Sequence, residues 1–198
     1  MFHDIYALCD MGMLRRFKIG LEEFVQIAQN FGAQIMQYRD KESTLEEKME
    51  NLKKLRSLWS GILIVNDEWA LARVCDGVHV GQEDLLDIIE VFGARSKAEG
   101  VTILRHLSGA KIVGLSTHNK EEILEANGLD LDYIGLGAYR ASTTKEVSFV
   151  LGPRLEQLAS CSTHKVVAIG GVRLFDSIAH VWKRAIGSDL VIKALTYA

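Results

Sequence analysis

The chain predicts a (β/α)8 barrel of the TIM type, on three observations. Short apolar, strand-like segments alternate with amphipathic helical ones along the whole length. Connections between them are short, with no linker, repeat or low-complexity tract, so residues 1–198 read as one domain with a parallel sheet and right-handed crossovers. The apolar segments also end, one after another, in polar residues or glycine: "IMQYRDK", "ILIVND", "VHVGQED", "KIVGLSTH", "YIGLG", "VVAIGG" and "DLVIK". Strand ends that all carry chemistry build one site at the mouth of a barrel. An open doubly wound sheet would gather its polar residues at a single switch point instead.

The elements follow in order. Ile5–Cys9 reads as a first strand, and Leu21–Asn30 as a helix with Leu21, Phe24, Val25 and Ala28 on one face. Ala33–Tyr38 is strand two. The next helix, about Leu45–Trp59, opens behind Ser43 and Thr44 with Glu46 and Glu47 in its first turn, a capping signature. Gly61 stops it before strand three, Ile62–Val65. Glu68–Val74 is a short helix and Gly77–Val80 strand four. Asp84–Leu107 is helical but interrupted by Gly93 and Gly100, which predicts two pieces or a kink. Ile112–Leu115 is strand five. Lys120–Asn127 is a helix stopped by Gly128, and Tyr133–Leu136 is strand six. Pro153 opens the next helix, where its missing N–H costs nothing. Val166–Ile169, Leu174–Ala185 and Leu190–Ile192 read as strand seven, helix seven and strand eight. On that reading the barrel lacks its last helix.

Composition narrows the class. The 198 residues are somewhat short for a barrel of about 250. A hydrophobic share of 48% with 25% charged residues argues against disorder. A net charge of −3 with dispersed cations gives no reason to expect nucleic acid or an anionic membrane as partner. Asp4 stands where a signal peptide would be basic, and no apolar run nears the roughly 18 residues of a membrane span. Cys9, Cys75 and Cys161 form no C-x-x-C pair and read as reduced thiols of a cytoplasmic protein. Cys9 stands near a strand end, but a free cysteine is more often a small buried residue than a nucleophile.

The strand ends carry the candidate chemistry. Asp67 and Asp84 close consecutive strands about 4.8 Å apart, so the two carboxylates suit one Mg2+ completed by water and phosphate oxygens. An isolated Asp pair is more often a helix cap or a solvated loop. Gln37, Arg39 and Lys41 lean to one side of an extended stretch, and a guanidinium beside an ammonium suits a diphosphate. Asp40 and Glu42, interleaved with them, allow a plain salt-bridged strand end instead. Lys145, behind Ser142, Thr143 and Thr144, offers a second anion cluster. Gly170 and Gly171 let backbone N–H groups approach a phosphate, and Lys193 adds a charge from the expected eighth strand. His79 reads as a bonded core residue before a catalyst, and His118 is an acid–base candidate.

Taken together, "QYRDK", "IVNDEWALARVCDGVHVGQEDL", "GLSTHNKEEILEA", "DYIGLGAYRASTTKE" and "VVAIGGV" resemble thiamine phosphate synthases and their thiazole-tautomerase relatives of the TenI type. The resemblance runs in order from about residue 33 to 172. It implies a transferase that joins a hydroxymethylpyrimidine diphosphate to a thiazole phosphate and releases diphosphate, with Mg2+. It implies Gln37, Arg39, Lys41 and Asn66 around the pyrimidine diphosphate, Mg2+ on Asp67 and Asp84, and Ser116 near the pyrimidine. Ser142, Thr144 and Lys145 would contact phosphates, and the Gly171 N–H the thiazole phosphate. Arg39, Lys41, Ser116 and Lys145 would then be the catalytic set. A tautomerase, needing no diphosphate grip and using His118, and a catalytically inert phospho-ligand binder are the alternatives. Four departures stand out: no proline in the loop after strand six, a long stretch from Leu85 to Gly109, Lys193 where the family commonly has a serine, and the missing last helix. Without that helix the outer faces of strands eight and one (Leu190, Val191, Ile192, Ile5, Ala7) would lie open, which predicts a homodimer.

Overall fold

Eight parallel strands close into a barrel in sequential order in the computed structural model of the chain, which describes residues 4–141 and 150–197. The strands are β1 (Ile5–Asp10), β2 (Ile35–Arg39), β3 (Ile62–Asn66), β4 (Gly77–Val80), β5 (Ile112–Thr117), β6 (Tyr133–Leu136), β7 (Lys165–Ala168) and β8 (Lys183–Ile186). Ile5 to Ala7 of β1 pair with Arg184 to Ile186 of β8, which closes the ring. The helices are α1 (Met11–Phe17), α2 (Leu21–Asn30), α3 (Leu45–Leu58), α4 (Gln82–Phe92), α5 (Lys97–Ser108), α6 (Lys120–Ala126), α7 (Arg154–Ala159) and α8 (Ser188–Tyr197). Trp69–Val74 forms a 3-10 helix between β3 and β4. No helix among the described residues is long and apolar enough to cross a membrane.

Side-chain alternation along the strands divides the core in two. Tyr6, Ile35, Ile64, Tyr133, Val167 and Ala185 point inward and fill the barrel. Their strand neighbours, such as Ala7, Met36, Leu63, Val78 and Ile134, point outward against the helices. Local signals fix the helix ends as expected. Thr44 and Glu47 close a reciprocal capping box on α3, with the Thr44 N–H donating to Glu47 Oε2 at 2.7 Å. Gly93, at φ +67°, ends α4. Gly100 does not interrupt α5. It packs on α4, where an added Cβ would lie 2.6 Å from Ile89 Cγ1.

The last quarter departs from the sequence expectation. No helix spans Leu174–Ala185; the chain runs through turns and enters β8 at Lys183. Apolar residues at 174, 175, 178, 181, 182 and 185 imitate helical spacing, and two cations hide the strand. Both cations have tertiary partners: Arg184 holds Asp4, and Lys183 Nζ donates to Gln34 at 2.8 Å. Leu190–Ile192, expected as strand eight, lies in α8, so the final helix is present. Leu190, Val191, Ile5 and Ala7 are fully buried. Ile192 alone of the five is exposed, so no continuous open strip forms and the homodimer expectation loses its premise.

Candidate functional site

A cavity of about 610 Å3 opens at the C-terminal ends of the strands and is lined from nearly every one of them. Of the residues expected there, Gln37, Arg39, Lys41, Asn66, Asp67, Asp84, Ser116 and Gly171 all line it. His79 and His118 line it as well. Ser142, Thr144 and Lys145 lie outside the described residues. Lys193 does not reach it: the side chain leaves from α8 and sits 5.5 Å from the centre of the Phe175 ring. The end of β8 instead contributes Gly187 and Ser188. A serine therefore does follow strand eight, five residues before Lys193.

One wall is built from charged side chains. Arg39 Nη1 donates to Asp10 Oδ2 at 2.5 Å, and Lys41 Nζ pairs with Asp67 Oδ2. The interleaved acids turn away from this pair. Asp40 accepts from Tyr38 Oη at 3.0 Å and from the Ser43 N–H, and Glu42 takes Arg15 at 2.8 Å. Asp40 and Glu42 thus do not pair with Arg39 or Lys41, whose salt bridges go to Asp10 and Asp67 instead. Asn66 Nδ2 donates to Asp67 Oδ2 at 2.6 Å, and Asp67 itself holds a left-handed backbone (φ 63°), a conformation that costs a non-glycine residue energy and gathers at functional sites.

Asp84 plays two parts. It accepts from the Gly81 N–H at 2.8 Å and so caps α4, as the plain reading of the sequence had it. Its carboxyl also stands near enough to Asp67 for the two charges to interact. Burial first, then the neighbouring Asp67 charge, push its pKa above the ordinary carboxylate value. Two oxygen-donor groups facing each other in this way fit a hard divalent cation that takes its other ligands from water and substrate. No group of three or more His, Cys, Asp or Glu placed to hold a metal occurs among the described residues.

The floor is a hydrogen-bonded chain. Gln37 Nε2 donates to Tyr6 Oη at 2.9 Å, and Tyr6 Oη meets Tyr133 Oη at 2.9 Å. Tyr133 Oη meets His79 Nδ1 at 3.0 Å, and His79 Nε2 meets Ser116 Oγ at 3.0 Å. Burial pushes both tyrosine hydroxyls well above their ordinary pKa, so they stay neutral. His79 is thus the bonded core residue expected, yet it also fixes Ser116 under the cavity. At the lip, His118 Nδ1 meets Glu122 Oε2 at 3.0 Å. Cys9 is fully buried with its thiol pushed up by that burial, so it is no nucleophile.

The opposite wall is backbone. Gly170 and Gly171 both have positive φ, 84° and 64°, and turn the chain at the cavity edge with Gly187 and the start of α8 beside them. Paired N–H groups of this kind, next to a helix N-terminus, suit a phosphate. The sequence reading missed Asp10, Gly187 and Ser188. Asp10 had a signal, since "ALCD" ends like the other strands. Gly187 and Ser188 were hidden by the misplaced eighth strand.

A family model described as thiamine monophosphate synthase matches residues 5–195. A thiamine-phosphate synthase of Dictyoglomus thermophilum is 36% identical over 179 residues, which cover 86% of this chain and 73% of that protein. One from Chloroflexus aurantiacus is 32% identical, covering 98% of this chain and 85% of its own length. Among solved structures, a thiamine phosphate pyrophosphorylase from Pyrococcus furiosus aligns with a TM-score of 0.71 over 98% of this chain and 96% of that one, at 24% identity, a likeness of fold. A match across the whole barrel, together with these relatives, means that the chain belongs to the thiamine monophosphate synthase family.

Proposed function

We propose that the chain is a thiamine phosphate synthase, a transferase that joins a hydroxymethylpyrimidine diphosphate to a thiazole phosphate and releases diphosphate. The observation that carries the reading is the pairing of two unlike anion sites across one cavity, cationic side chains on one wall and glycine N–H groups on the other. The family membership supports it. Asp67 and Asp84 would hold Mg2+, which when bound offsets negative charge on the departing diphosphate. Arg39 is held in place by Asp10 and adds a fixed positive charge at the same wall. Lys41 exchanges Asp67 for diphosphate oxygens. Gln37 and Ser116, fixed by the tyrosine–histidine chain, orient the pyrimidine, and the cavity keeps the reacting carbon away from bulk water. The Gly171 N–H binds the thiazole phosphate, with Gly187 and Ser188 in place of Lys193. The reading also carries a cytoplasmic location.

A tautomerase would draw on His118 and Glu122 alone and leave the Arg39, Lys41, Asp67 and Asp84 wall without a task. Incubation of the purified protein with both substrates and Mg2+ tests the proposal. Formation of thiamine phosphate that stops on chelation is expected. Isomerisation of the thiazole with no coupling would replace this reading with the tautomerase.

A further inference from the structure

The glycine wall has an unusual support. No helix lies between β7 and β8 to hold it, and residues 169–182 run through turns. Two arginines grip this stretch from outside the cavity. Arg184, almost fully buried in β8, donates from Nη1 to the carbonyls of Leu174 and Asp176, both at 2.7 Å. Arg140, just beyond β6, makes a bidentate pair with Asp176 at 2.5 and 2.8 Å. The same guanidinium donates to the Gly171 carbonyl at 3.1 Å, and the Arg140 N–H donates to the Gly170 carbonyl at 2.8 Å. Asp176 in turn accepts from the Arg173 N–H at 2.7 Å. Both carbonyls of the glycine pair are thus tied back to Arg140, and because C=O and the next N–H point opposite ways across a trans peptide, the Gly171 and Val172 N–H groups are directed away from Arg140. Neither Arg140 nor Asp176 lines that cavity.

We propose that Arg140 and Asp176 are positioning residues that fix the Gly170–Gly171 turn for the phosphate of the thiazole substrate, and so set affinity for that substrate without touching it. A bidentate guanidinium–carboxylate pair fixes direction as well as distance, which a lysine in the same place would not. The turn has a conformation available chiefly to glycine, so it needs such outside support to hold one geometry. The inference rests on the proposed synthase reading for the identity of the anion, not for the existence of the brace.

The test varies each substrate in turn with the wild type, Arg140→Met, Asp176→Asn and the double variant, with folding checked by thermal melting. The KM for thiazole phosphate should rise about 10-fold in each single variant, the scale of one lost charge-assisted bond. The KM for pyrimidine diphosphate and kcat at saturation should stay within about twofold. The double variant should lose no more than Arg140→Met alone, since the two act as one unit. An equal rise in both KM values, a fall in kcat alone, or no change would overturn the brace. Should Arg140→Met fail to fold, Asp176→Asn decides, because asparagine keeps an acceptor for the Arg173 N–H. If the wild type makes no thiamine phosphate, the synthase reading fails separately. Calorimetry with inorganic phosphate then decides the brace: weaker binding by the variants supports it, and unchanged binding, or none by the wild type, overturns it.

Discussion

On the proposed reading, the β2–β4 side of the mouth and the β6–β8 side would bind anions by opposite means. The first uses Arg39, Lys41, Asp67 and Asp84, side chains that meet each other directly across neighbouring strand ends. The second would use backbone N–H groups of a turn whose carbonyls are held by arginines from elsewhere in the barrel. A side-chain site tolerates modest backbone error because long side chains reach. A backbone site has no such reach, so its scaffold must be rigid. The two halves should therefore fail differently when changed.

The largest effect is expected on the charged side. Asp84→Asn should lower turnover by about 100-fold or more, the scale of removing a preorganised charge-stabilising group. It should also raise the melting temperature without divalent ions, because burial and Asp67 already disfavour the charged form of Asp84. A fully active Asp84→Asn protein would break the assignment of this wall to a metal and diphosphate. Next comes Arg39→Ala, which should weaken diphosphate binding by about 1.5–3 kcal/mol, measured by calorimetry, with thiazole phosphate binding little changed. Equal loss for both ligands would dissolve the contrast between the two sides.

On the backbone side, Gly171→Ala should act through conformation. A left-handed φ costs an alanine about 1–2 kcal/mol, and its Cβ would sit 2.7 Å from Arg140 Cβ. A melting temperature lower by about 2–8 °C is expected for a chain of this size, with thiazole phosphate binding reduced. An unchanged melt and unchanged binding would show that the turn is not held as described. The smallest effect is in acid. Burial raises the Asp176 pKa, but the bonds from Arg140 and the Arg173 N–H more than offset this and hold it below 3.8. A depressed carboxylate stabilises the fold above its unfolded pKa and loses that contribution as pH falls through the folded one. The stability gap between wild type and Asp176→Asn should thus be full near neutral pH and shrink below about pH 4. A gap independent of pH would mean that the Asp176 charge contributes nothing.

Legibility in the sequence follows the same division. Strands β1 to β7 were readable because their residues are apolar and their ends abrupt. Gln37, Arg39, Lys41, Asn66, Asp67, Asp84, Ser116 and Gly171 stand at those ends and were found there. β8 is "KRAI", half of it cationic, and no local pattern marks such a segment as a buried strand. Its identity depends on Asp4, 180 positions away, which neutralises Arg184. The wrong strand then produced the wrong helix, the wrong phosphate ligand in Lys193 and an apolar face that is in fact covered.

The sequence by itself determined the barrel class, seven of its strands and the charged wall, because hydrophobic period and strand-end polarity are local properties of the chain. Tertiary structure decided the rest. Closure through β8, the covering by α8, the tyrosine–histidine floor and the arginine-held glycine turn all join residues far apart in sequence. Their partners satisfy buried charge and hydroxyls that a local reading assigns to solvent, and only the closed ring brings those partners into reach.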